Sequence, residues 1–101
     1  MRSKPFREYV SRFPCCICSM YRGEVVITMP LGFAVSQAAH VVNNGASSKG
    51  PDSTCVPLCC KGLNHHAEFD SGKKAFERKY GVNMREVAAM YFARWKQETG
   101  Q

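Results

Sequence analysis

Apolar and polar positions along this chain change their spacing several times, and each change marks a candidate element. In 5–12, PFREYVSR, Phe6, Tyr9 and Val10 fall three and four residues apart, the stripe of a short helix whose first turn accommodates Pro5. The following PCCICS carries no period and reads as a turn loaded with cysteines. Glu24–Met29 is rich in β-branched residues and predicts a strand, which Pro30 ends. Residues 31–36 fit neither period. QAAHVV, 37–42, predicts a further strand and places His40 toward its end. The polar run NNGASSKGPDST, 43–54, predicts a flexible loop. CVPL, 55–58, is a short extended piece that Pro57 confines to a sheet edge or a strand end.

The second half shifts to helical spacing. His66–Asp70 opens a helical turn, and Gly72 works against its continuation. SGKKAFERKYG, 71–81, restarts a helix that Gly81 terminates. The last element is the clearest: Asn83 is a cap, and Glu86 three residues later completes a capping-box pattern. Val87, Met90, Tyr91 and Trp95 then recur at near-helical spacing, with Arg85, Arg94 and Lys96 left for solvent. No repeat or boundary interrupts the chain, so residues 1–101 predict a single α+β domain with a modest core.

Charge adds one constraint. Fourteen Lys and Arg against eight Asp and Glu leave +6, which favours a polyanionic partner without naming nucleic acid. The start, MRSKPFREYV, mixes charges into its apolar positions and shows no secretory pattern. The apolar stretch Val25–Val35 is broken by Thr28, Pro30 and Gly32 and is too short to span a bilayer. The expectation is a cytoplasmic chain without membrane contact, in which thiols stay reduced. Six cysteines in that setting favour thiolate ligands over three disulfides.

The cysteine spacing locates those ligands. Cys15 and Cys18 form a CxxC pair, whose two-residue gap lets both thiolates face one ion from a tight turn. Cys16 between them points elsewhere. The other half of a tetrahedral site comes from LCCKGLNHHAEFD, 58–70, in which Cys59 or Cys60 and His65 or His66 are available. Cys15, Cys18, Cys59 and His65 make a complete structural Zn2+ set, provided that KGLN bulges outward, with Gly62 permitting the turn. Cys60 would serve with a shorter gap.

If His65 belongs to that ion, His66 faces another way. On a helix His66 and Asp70 share a face, and a histidine nitrogen with a carboxylate suits Mg2+, Mn2+ or Zn2+. Such a catalytic divalent cation beside a general base is an apparatus for phosphodiester hydrolysis. His40, at a strand end before a polar loop, is the candidate base. Glu68 faces solvent or braces a basic neighbour. Lys49, Lys73, Lys74, Arg78 and Lys79 are candidates for phosphate contacts.

The ordered set KPFREYV, PCCIC, AAHVV, GPDSTCVPLC, HHAEFD and FERKYGVN resembles the small HNH-type nucleases of phages and prophages, over roughly residues 4–95. That resemblance implies a small ββα-metal (His-Me finger) domain, with a zinc knuckle and flanking helices. In such domains a β-hairpin carries the general-base histidine and the following helix brings metal ligands against it. Carried over, His40 is the hairpin histidine, and Cys15, Cys18 and Cys59 are knuckle cysteines. His66 is the histidine at the start of the metal-bearing helix, and Asp70 takes the position of the final family histidine. Ala39 stands where many relatives carry a second hairpin histidine. The asparagine of the HNH signature has no counterpart, and Asp52 is its nearest substitute.

The resemblance implies a metal-dependent DNA endonuclease working in phage or prophage DNA metabolism. The alternative is a non-catalytic zinc-containing module that binds nucleic acid, which accounts for the charge and the CxxC without using His40 or Asp70. A third possibility is a protein-interaction domain that exposes Tyr91 or Trp95. No protein partner is indicated.

Overall fold

A computed structural model of the protein describes residues 4–41 and 54–100. Lys49, Asp52 and nearly all of the 43–54 loop lie outside the described residues. The described chain is α+β, with four helices and one two-stranded antiparallel sheet. In order these are α1 (Lys4–Ser11), β1 (Gln37–His40), β2 (Cys55–Leu58), α2 (His65–Ser71), α3 (Lys73–Tyr80) and α4 (Met84–Thr99).

α1 forms where the helical stripe predicts it, and Phe6 and Val10 are its buried positions. Phe6 packs against Phe92 and Trp95 of α4, at ring-centroid distances of 5.3 and 5.2 Å. Phe13 meets Tyr91 edge-on at 5.2 Å. These aromatics and the fully buried β2 make the main core. Asn83 caps α4 by accepting from the Glu86 amide. The buried arc of α4 is Met84, Val87, Ala88, Tyr91 and Trp95, whereas Met90 is 42% exposed. At 100° per residue Met90 falls beside this arc rather than within it. Tyr91 and Trp95 are core, not an exposed docking surface.

The strand expected over Glu24–Met29 does not form. Tyr21 and Glu24 pair as an isolated bridge across Arg22 and Gly23, both with positive φ (54° and 80°), a type I′ turn. Beyond it the chain runs irregularly and is tethered from outside: the Arg94 guanidinium donates to the Thr28 carbonyl and the Leu31 amide to Arg12. Arg94 is therefore occupied rather than left to solvent. β propensity acts only against a neighbouring strand, and β2 offers no ladder to join. Val41 donates to Thr54, which places Pro57 in a non-hydrogen-bonded pair with its backbone facing away from β1. That outer edge lacks an N–H at Pro57, and the Pro57 carbonyl already accepts from Cys16 at 2.9 Å.

α2 ends at Ser71, Gly72 is extended, and α3 begins at Lys73, so the helical run is interrupted at Gly72 as the sequence predicts. A second aromatic group holds it together, with Phe69–Phe76 at 5.2 Å and Phe76–Tyr80 at 4.6 Å. Glu68 ties the two pieces by accepting from Lys79 (2.6 Å) and Tyr80 (2.7 Å). Those bonds, led by the one from Lys79, hold its carboxyl below the usual range.

Candidate metal centre

The turn after α1 presents the first two thiols. Cys16 donates its amide to Pro57, which pins the turn against β2, and Ser19 donates back to the Cys15 carbonyl at 3.0 Å. This closes a tight loop with Cys15 buried and Cys18 at its outer side. Cys16 points into the core, where burial first and the neighbouring Cys15 second push its thiol well up. It is a packing residue.

The third and fourth groups come from the junction of β2 and α2. Cys59 follows the last residue of β2, and the chain then turns through Gly62 (φ 66°) and Asn64 (φ 51°). Asn64 donates its amide to Lys61, and its side chain caps α2 by accepting from the Ala67 amide at 3.2 Å. Leu63 is thrown outward, 76% exposed. This outward bulge closes the long gap and leaves His65 as the first residue of α2. The His65 amide points at Cys59 Sγ from 3.3 Å, so a helix N-terminus supports the sulfur's negative charge.

Together the ligand atoms of Cys15, Cys18, Cys59 and His65 lie within 4.8 Å of one another. His65 Nδ1 is 3.4 Å from Cys15 Sγ, 3.4 Å from Cys18 Sγ and 3.3 Å from Cys59 Sγ. Cys18 and Cys59 sulfurs are 4.0 Å apart. With Zn–S bonds of about 2.3 Å and Zn–N of about 2.0 Å, a tetrahedron has edges of roughly 3.8 Å (S···S) and 3.5 Å (S···N). The Cys3His set fits such an ion, and none of the six cysteines is disulfide-bonded. Cys60 stands outside the set.

Electrostatics point the same way. Cys18 is the most exposed of the four, yet its sulfur faces the other ligands. Partial burial, then Cys15 and Cys59, push its thiol up to about 12. Ionising the Cys18 thiol beside its neighbours is unfavourable, and a divalent cation removes that penalty. The His65 ring is buried and stands nearly perpendicular to Tyr80, with centroids 5.6 Å apart. Nothing in the sequence pattern marked Tyr80 as the wall of this site.

His66, one residue on, faces another way. Its Nε2 lies 3.3 Å from Asp70 Oδ2, and its Nδ1 lies 2.6 Å from Gln37 Oε1. Asp70 Oδ1 is 3.6 Å from Lys73 Nζ, which also donates to the His40 carbonyl at 3.4 Å. The α2–α3 run thus lies along β1, with His66 at the Gln37 end and Lys73 at the His40 end. His40 is half-buried at the end of β1. Strand alternation sends Gln37 and Ala39 to one side and Ala38 and His40 to the other. It is Gln37 that meets His66. Among the described residues no second group of three metal-ligating side chains comes together. Sequence reasoning missed Gln37, because an exposed polar residue opening a strand carries no chemical signal.

A cleft of about 390 Å³ opens beside this run, lined by Val41, Phe69, Lys73, Lys74, Glu77, Asn83 and Arg85. Three of its seven residues are cations. Its one carboxylate, Glu77, is engaged by the Met84 amide at 2.7 Å. Of the basic residues expected to contact phosphate, Lys79 is held by Glu68, and Lys73 is shared with Asp70 and the His40 carbonyl.

Comparison with family models, with curated proteins and with solved structures finds no match to this chain. The geometry therefore carries the argument: a small α+β domain with a Cys3His cluster capable of coordinating a metal ion. No described helix is long and apolar enough to cross a membrane.

Proposed function

We propose that this chain is a zinc-fastened nucleic-acid-binding domain, with duplex DNA as its partner. The cleft lined by Lys73, Lys74 and Arg85 carries this reading. It concentrates positive charge at one place on a chain of net charge +6, and phosphate contacts of that kind dominate affinity for nucleic acid. The Cys3His ion has the structural part. Held by Cys15, Cys18, Cys59 and His65, it would join the Cys15–Cys18 turn to the start of α2 and so steady the helical run beside the cleft. The small HNH-type nucleases that the sequence resembles act on DNA, which selects DNA over RNA.

A labelled DNA duplex titrated with zinc-loaded protein tests this by anisotropy. Lys73→Ala with Lys74→Ala weakens binding across unrelated sequences and flattens the salt dependence by about two contacts. Unchanged binding and salt slope in that folded variant would refute the assignment.

A second reading, phosphodiester cleavage, is favoured by the order β1–β2–α2 and by the His66–Asp70 pair beside β1. His66 and Asp70 would hold a divalent cation, which supplies charge neutralisation at phosphate when bound. His40 is the proton acceptor that the resemblance implies, although its side of β1 is opposite the one that meets His66. Lys73, beside Asp70 and the end of β1, would orient the phosphate. Supercoiled-plasmid nicking with Mg2+, Mn2+ or Zn2+ separates the readings. Metal-dependent nicking that His40→Ala and His66→Ala abolish supports cleavage. Intact plasmid under every metal, with DNA still bound, leaves the binding function alone.

A further inference from the structure

The His66 ring is held between two oxygens, one facing each ring nitrogen. Gln37 Oε1 lies 2.6 Å from Nδ1, and an amide oxygen only accepts, so Nδ1 carries the hydrogen. The group facing Nε2 at 3.3 Å is Asp70 Oδ2, an acceptor. Lys73 stands at the other carboxylate oxygen, 3.6 Å from Oδ1. One electrophile between Nε2 and Oδ2 serves both atoms, and a divalent cation competes with a proton for that place. An octahedral cation with bonds of about 2.1 Å needs adjacent ligand atoms roughly 3 Å apart, which this pair approximates.

We propose that Gln37 is a positioning residue for a divalent cation: its amide oxygen fixes the His66 ring so that Nε2, together with Asp70 Oδ2, faces the ion. The inference rests on the cleavage reading of the His66–Asp70 pair and adds the residue that orients it. Metal-bound histidines commonly donate their other ring N–H to an oxygen, which sets both tautomer and ring angle. Gln37 supplies that oxygen from β1. It is paired with Leu58 across the sheet, so the backbone that carries it is anchored by the ladder. The two metal sites stay chemically distinct. Three thiolates select zinc, whereas a nitrogen–oxygen pair takes harder ions such as Mn2+.

The experiment titrates Mn2+ into the full-length, zinc-loaded protein and reads free Mn2+ by its electron paramagnetic resonance signal, with no substrate present. Wild type takes up one Mn2+, and His66→Ala loses it. Gln37→Leu weakens binding about 10–100-fold, as loss of an outer-shell partner does. Gln37→Glu, which can only accept the same hydrogen bond, returns binding to the wild-type level or tighter. Gln37 is exposed, so these variants keep the fold, and zinc stoichiometry with a thermal melt checks that in each; Gln37→Ala substitutes for any that fails. Gln37→Leu binding as wild type, while His66→Ala does not, overturns the role of Gln37 alone. Gln37→Glu binding as poorly as Gln37→Leu also overturns it, because the amide would then act as a donor. Wild type binding no better than His66→Ala removes the cation site itself.

Discussion

Replacing each of the adjacent histidines in turn separates structure from chemistry. His65→Ala removes a ring nitrogen lying 3.3–3.4 Å from three sulfurs. Structural zinc binding is worth about 10–16 kcal/mol in small zinc domains, so one ligand in four carries roughly 2.5–4 kcal/mol. The lost packing of a buried ring against Tyr80 and Phe76 adds about 1 kcal/mol. The total, about 3.5–5 kcal/mol, approaches the whole stability of a small domain, about 5–15 kcal/mol. His66→Ala breaks a contact to exposed Asp70 and a hydrogen bond to exposed Gln37, together about 1 kcal/mol because both partners return to water.

At about 4–8 °C per kcal/mol for a domain of this size, His65→Ala lowers Tm by at least about 15 °C, and His66→Ala by less than about 8 °C. Thermal melts with zinc measured by mass spectrometry on the same samples report both effects. Zinc stoichiometry falls in the first variant and holds in the second. Equal zinc content and equal Tm in the two variants would falsify the division of labour between these neighbours.

Cys59→Ser loses zinc while Cys60→Ser keeps it, since of these two Cys59 is the one whose Sγ approaches His65; zinc release measured with a chromophoric chelator decides between them. The Cys18 thiol of the metal-free chain, pushed up to about 12, is protonated at neutral pH, so metal uptake displaces its proton. Zinc affinity therefore rises with pH, about tenfold per unit for that one proton, and a flat competition curve across neutral pH would contradict it. Asn64 both caps α2 and adopts a left-handed conformation. Asn64→Ala accordingly costs about 2 kcal/mol in chemical denaturation, whereas Asn64→Gly costs a few tenths. Equal losses in the two would mean that backbone strain at 64 is negligible.

What the sequence revealed and what it hid follow from the range of the interactions involved. The His65–His66 split was visible because consecutive helical residues point about 100° apart, so the two rings cannot serve one ion. The CxxC turn and the Asn83 cap are local in the same sense. The closure of the long Cys59–His65 gap was half visible: Gly62 announced a turn, but the left-handed Asn64 that completes it was not expected. The missing strand at Glu24–Met29 shows the opposite regime. Its propensity is genuine, yet the edge it would join is closed by Pro57 and by the Cys16 amide, both distant in sequence. Gln37 lies further still from inference, because its role depends on which side of β1 meets α2. Strand alternation makes that choice two-fold, and the apolar pattern of QAAH is too short to make it. Ala39 is the buried member of β1, and Gln37 shares its side, so the position that looked least chemical is the one held against His66.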